Sequence, residues 1–233
     1  DTQQKRFSIY CSGDVLDEYV LEVNKENSYT FSDSDLQWAS YNDVQGNNRQ
    51  KFYSTPYEKG KTIYLKGYLK TNDINDNILE TFFNEYDDFY SYDCLIKIFG
   101  YGAQLKCYGD IRNIVKDSKG NLPKIAPPYI FTETFQDDDV IKAPEIGFTS
   151  VENHSFESMF SGCKNLEKAP VMNFEMYNNC CNYMFVNCNK LNYIECSSST
   201  LGKGLTDTWV HGVSPTGTYY GPATEPVGAD GIP

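Results

Sequence analysis

The chain has 233 residues, of which 40% are hydrophobic and 15% aromatic, enough to bury a core in one large domain or two small ones. Nineteen Tyr and fourteen Phe, set among many Asn, Ser, Thr and Gly, favour strands and turns over long helices. The formal net charge of −12 argues against nucleic acid, whose phosphates must be met by Lys and Arg, and against docking on an anionic membrane surface.

No apolar run approaches the roughly 20 residues of a membrane helix. The chain begins at Asp1 without Met, so it is expected to be a processed product whose leader, if it had one, is gone.

Residues 7–105 alternate strand and turn patterns. "RFSIYCSG" (6–13), "EYVLEVN" (18–24), "SYTFSDS" (28–34), "KTIYLKGYLKT" (61–71) and "CLIKIFGYG" (94–102) carry period-two or aromatic β-patterning. "DVQGNNRQ" and "NDINDN" are the turn-rich links between them. "NILETFFNEYDDFY" (77–90) predicts a short helix. The region predicts a small, mainly antiparallel β-domain. A calcium loop starting at Asp73 fails as an EF-hand, because Ile78 stands where Gly is needed and Asn84 where a bidentate Glu belongs.

Beyond residue 105 the pattern is internal repetition. Phe131, Thr134 and Phe135 stand at i, i+3 and i+4, as do Phe156, Met159 and Phe160, and Cys181, Met184 and Phe185. That spacing places three side chains on one face of a short helical turn. Cys163 and Cys188 follow three residues later, then Leu166 and Leu191. The period then changes to two, with Ala169 and Val171 in one unit and Ile194 and Cys196 in the next pointing inward as strand residues. Each unit is expected to be a short helix, a turn and a short strand, about 25 residues long, within the range of leucine-rich repeats. Phe160 is expected to lie over Phe185 and Leu166 over Leu191, with Cys163 and Cys188 as packed thiols. "LKCYGDIRNIV" (105–115) is a degenerate first coil, and "TDTWVHGVSPTGTYYGP" (206–222), with Trp209 as lid, is the expected C-terminal cap.

The predicted fold class is therefore α+β, mainly β. Residues 1–105 form an N-terminal antiparallel β-domain. Residues 106–233 form a short leucine-rich-repeat solenoid with a C-terminal cap.

"MFSGCKNLEKAP" and "MFVNCNKLNYI", with the tail "WVHGVSPTGTYY" and "GADGIP", resemble the repeats and closing segment of BspA-like leucine-rich-repeat surface proteins of gut anaerobic bacteria. "LKCYGDIRNIV" is similar to the strand that precedes those repeats. The resemblance covers roughly residues 105–233. It implies a non-enzymatic, exported protein at the cell surface or outer membrane, often lipid-anchored, that adheres to host or bacterial surface proteins or glycans. A structural spacer, or an accessory glycan-binding subunit of a polysaccharide-capture system, is the alternative it implies. It brings no catalytic residues and no cofactor.

The residues themselves name no chemistry. The eight cysteines contain no CxxC, so the common zinc and redox spacings are missing and no metal site is expected. Their even number suits a disulfide framework as well as free thiols. "GVSPTG" (212–217) is not a nucleophile elbow. His154 and His211, the two histidines, lie outside any catalytic-cysteine signature, and His154 is expected in an exposed loop. No catalytic set is assigned. A binding face, if one exists, is expected on the outward residues of the strands, Lys168, Pro170, Tyr193 and Glu195.

Overall fold

The computed structural model describes residues 104–117, 119–198 and 208–221, together with seven strands between residues 8 and 99. Those strands are β1 (Ser8–Cys11), β2 (Leu16–Val23), β3 (Tyr29–Thr30), β4 (Gln37–Asn42), β5 (Asn48–Tyr53), β6 (Ile63–Leu69) and β7 (Ile96–Phe99). They pair antiparallel in two separate sheets, ordered β4-β5-β1-β7 and β3-β2-β6. β4 and β5 form a hairpin where the patterning predicts only a turn-rich link: Asn48, within "DVQGNNRQ", already pairs with Asn42. The helix expected at 77–90 lies outside the described residues.

From residue 105 onward the strands are short and pair in parallel. β8 (Leu105–Lys106) pairs with β10 (Val140–Lys142), and β13 (Tyr193–Glu195) with β14 (Thr218–Tyr220). On another side, β9 (Ile125–Ala126), β11 (Ser150–Val151) and β12 (Glu175–Met176) form a three-stranded ladder. Ala126, Val151 and Met176 are register partners along it, and all three are buried.

Between these ladders lie the segments predicted as short helices, and they are not helices. In residues 129–138, 154–163 and 179–188 the backbone N–H groups alternate between two acceptors. Met159 N–H turns back to Phe156 C=O, while Phe160 N–H donates to Met184 C=O in the next unit. Glu157 and Ser161 likewise turn back, to His154 and Ser158, whereas Phe156, Ser158 and Gly162 donate to Cys180, Asn182 and Val186. Every fourth residue has positive φ: Tyr129, Glu133 and Asp137, then His154, Ser158 and Gly162, then Asn179, Tyr183 and Asn187, then Thr208 and Gly212. An α-helix needs negative φ throughout and i to i−4 bonds. A four-residue run of turns buries i, i+3 and i+4 just as a helical turn does, which is why the apolar spacing suggested one.

The predicted architecture is thus corrected. Among the described residues no α-helix occurs, and the one helical element is the 3-10 turn Ile111–Ile114, capped by Asp110 accepting from Arg112 N–H. The parallel strands are two or three residues long and fall into separate ladders that close into neither a sheet nor a leucine-rich-repeat solenoid. The antiparallel pairing near the N-terminus is divided between two sheets. The expected cap is also different. Residues 208–213 continue the turn pattern in register, with Phe185 N–H donating to Trp209 C=O and Asn187 N–H to His211 C=O, and β14 extends the parallel pairing.

The core lies where the units meet. Phe135 and Phe160 stack with centroids 5.3 Å apart, Phe160 and Phe185 at 5.8 Å, and Trp209 closes on Phe185 at 6.1 Å. Phe131, Phe148, Phe156 and Phe174 form a second, partly tilted cluster. Leu166 and Leu191 are both fully buried.

Candidate functional site

Six described cysteines, Cys107, Cys163, Cys180, Cys181, Cys188 and Cys196, are free thiols, and all but Cys107 are buried. Cys163 donates its thiol to Phe135 C=O at 3.1 Å, and Cys188 to Phe160 C=O at 3.0 Å. Burial, the largest cause, pushes the Cys107 and Cys188 thiols up to about 12, and pushes Cys163 upward with help from Cys188 and Asp138. Thiols held in the protonated form are neither nucleophiles nor metal ligands. Among the described residues no group of three His, Cys, Asp or Glu side chains is placed to hold a metal ion.

His154 is not the exposed loop residue expected. Its ring is half-buried, stacked on Tyr129 at 4.9 Å, with Nδ1 2.6 Å from Glu157 Oε2. The neighbouring Ser155 is buried and donates its Oγ hydroxyl among the carbonyls of Ala126, Pro127 and Glu152. His211 is exposed in the last turn unit.

The strand side that carries β8, β10, β13 and β14 presents a different chemistry. Of the four residues assigned to a binding face, three are at this surface. Lys168 is exposed, and Tyr193 and Glu195 are half-buried. Lys168 Nζ lies 4.4 Å from the Tyr193 ring centroid, and Tyr193 donates its hydroxyl to Glu195 Oε2 at 3.2 Å. Partial burial and the Glu195 carboxylate hold the Tyr193 phenol above its ordinary value.

The fourth, Pro170, is buried, and Val171 is only half-buried where it was expected to point in. The register shows why. Lys168 pairs with Tyr193 and Met172 with Cys196, so four steps on one strand face three on the other. The extra residue makes a bulge; Pro170 lacks an N–H and sits in it, turned inward, and Met172 replaces Val171 in the core.

Several residues of this surface were not singled out from sequence. Tyr108 and Tyr220 are 68% and 69% exposed. Lys142 Nζ lies 4.0 Å from the Tyr108 ring centroid. Tyr220 stands opposite Glu195. The signal that could have found Lys142 is "KAP", which occurs at 142–144 and again at 168–170. The surface thus carries two Lys–Tyr contacts, one on the β8–β10 ladder and one where Lys168 pairs with Tyr193 of β13, each suited to stacking and ionic contact with a ligand.

No protein-family model matches the chain, and neither a curated protein nor a solved structure matches it. Among the described residues no helix is long and apolar enough to cross a membrane.

Proposed function

We propose that the chain is a non-enzymatic, exported surface protein that binds a protein or glycan through the strand face carrying Tyr108, Lys142, Lys168, Tyr193 and Tyr220. Its place is the cell surface or outer membrane, held by a lipid anchor. The reading draws on the resemblance of its repeats and tail to BspA-like surface proteins. The observation that carries it is the pair of Lys–Tyr contacts, Lys142 over Tyr108 and Lys168 over Tyr193, on an accessible strand face. Large aromatic rings left at a surface beside charged groups are typical of recognition surfaces.

The test is an array of glycans and host-matrix proteins probed with the whole chain, and with a Tyr108→Ala/Tyr193→Ala/Tyr220→Ala variant. Binding that is lost in the variant supports the reading. Binding unaffected by the three substitutions removes this face from the role. A spacer or accessory subunit would show no binding by the isolated chain at all.

A further inference from the structure

Lys106 of β8 stands opposite Lys142 of β10 in the parallel register. Lys168 takes the corresponding place one unit on. Asn165 Nδ2 donates to Asp139 Oδ1 at 2.7 Å across the 26-residue step, and the same step leads from Lys142 to Lys168. All three lysines are exposed, in a chain whose formal net charge is −12. Like charges opposite one another on a sheet oppose its formation. Among the described residues none of the three has a carboxylate within ion-pair distance. The ammonium groups of Lys142 and Lys168 lie against tyrosine rings, which attract a cation weakly and leave its N–H donors available. The acidic groups on the same paired segments are Asp110, Glu145, Glu167 and Glu195; Asp110 is paired with Arg112, and Glu195 accepts the Tyr193 hydroxyl.

We propose that this lysine row binds a linear anionic polysaccharide, its carboxylate or sulfate groups meeting Lys106, Lys142 and Lys168 in turn, with Tyr108, Tyr193 and Tyr220 alongside its sugar rings. The proposal rests on the binding role argued above and narrows its ligand. Lys106 and Lys142 stand on paired strands about 4.8 Å apart, about the length of one pyranose unit. An extended acidic peptide presents same-side groups about every 6.6 Å, further apart than the strands that carry Lys106 and Lys142. At physiological ionic strength screening confines charge effects to about 8 Å, so the row, not the net charge of the chain, decides which anion docks.

The experiment is calorimetric titration of the full chain with polygalacturonate, chondroitin sulfate, neutral dextran and poly-glutamate. The expected result is binding of at least one anionic polysaccharide, at least tenfold weaker in Lys142→Gln/Lys168→Gln and weaker with added salt, and none of dextran. The first two ligands tell carboxylate from sulfate as the preferred anion. Equal affinity for poly-glutamate, or affinity unchanged within twofold in the double variant, overturns the proposal. Binding of dextran alone through the same face overturns the anionic assignment and leaves the binding role standing. No binding of any of the four overturns the proposal, and the array of glycans and host-matrix proteins then decides the binding role separately. Because the lysines are exposed, thermal unfolding of the variant is expected to match the parent and serves as the folding control.

Discussion

The ring of Phe160 lies 5.8 Å from the ring of Phe185 and 7° from parallel, though 25 residues separate them along the chain. Both are fully buried, and Phe135 continues the stack on the other side of Phe160 at 5.3 Å. Phe160 therefore joins two units to its own. Phe160→Ala is expected to destabilise the protein by about 3–5 kcal/mol, the range for deleting a core phenylalanine. Tyr177→Ala, at a side chain that is 49% exposed, should change stability by no more than about 0.5 kcal/mol. Urea unfolding of both variants checks this, and comparable losses would contradict the stacked core.

Gly162 has φ +77°, and a Cβ placed there would overlap Asp137 Oδ1 of the unit before it. Gly120 has φ +83° with open space around the same position. Gly120→Ala then carries only the conformational cost of a left-handed residue, about 1–2 kcal/mol. Gly162→Ala carries that cost and the overlap, so it should be the more destabilising of the two by urea unfolding. Adding Asp137→Ala should recover part of the difference. Equal effects of the two glycine substitutions would show that the units do not approach as described.

Thr134 is buried with its Oγ1 lacking a hydrogen-bond partner among the described residues. The residues at its place in later units, Met159, Met184 and Trp209, are all buried and apolar. Thr134→Val keeps the shape and removes the unpaired hydroxyl. Stability should rise by about 1 kcal/mol in chemical denaturation. A fall of similar size would mean that the hydroxyl has a partner in solution.

The Cys163 and Cys188 thiols should resist alkylation until the protein is unfolded; mass spectrometry after iodoacetamide treatment measures this. Their folded pKa values are raised above the ordinary 9.0, Cys188 to about 12. A raised folded value means that the unfolded chain loses these protons first as pH rises. The stabilisation is complete below about pH 9 and declines from there as pH approaches 12. Rapid labelling of both thiols in the native protein, or stability that does not fall above pH 9, would contradict the packed-thiol assignment.

The 25-residue interval was legible because it depends on apolar side chains. Phe, Cys and Leu recur at buried positions, and the Phe rings stack on their counterparts one interval away. The backbone that carries them was not legible. Over three residues, a spacing of i, i+3 and i+4 fits a period of four as well as 3.6. The positions with positive φ hold some left-handed formers, such as Asn179, Asn187 and Gly212, but also Tyr129, Glu133, Tyr183 and Thr208, which carry no such signal. At Tyr129 and Glu133 the amides donate to Asn153 and Glu157, 24 positions away, a contact that local propensity does not encode. The same limit applies to the binding face. Lys168, Tyr193 and Glu195 followed from alternation, but Pro170 did not, because alternation assumes a regular strand and the bulge breaks it. Tyr108 and Lys142 meet through pairing between β8 and β10, whose register the sequence does not state.

Scalar coupling across hydrogen bonds, measured by NMR on protein labelled with nitrogen-15 and carbon-13, tests the turn-and-register arrangement most directly. The amide of Phe160 should couple to the carbonyl of Met184, and the amide of Met159 to the carbonyl of Phe156. Coupling from the Phe160 amide to the Phe156 carbonyl, four residues back, would instead show a helix and contradict the account.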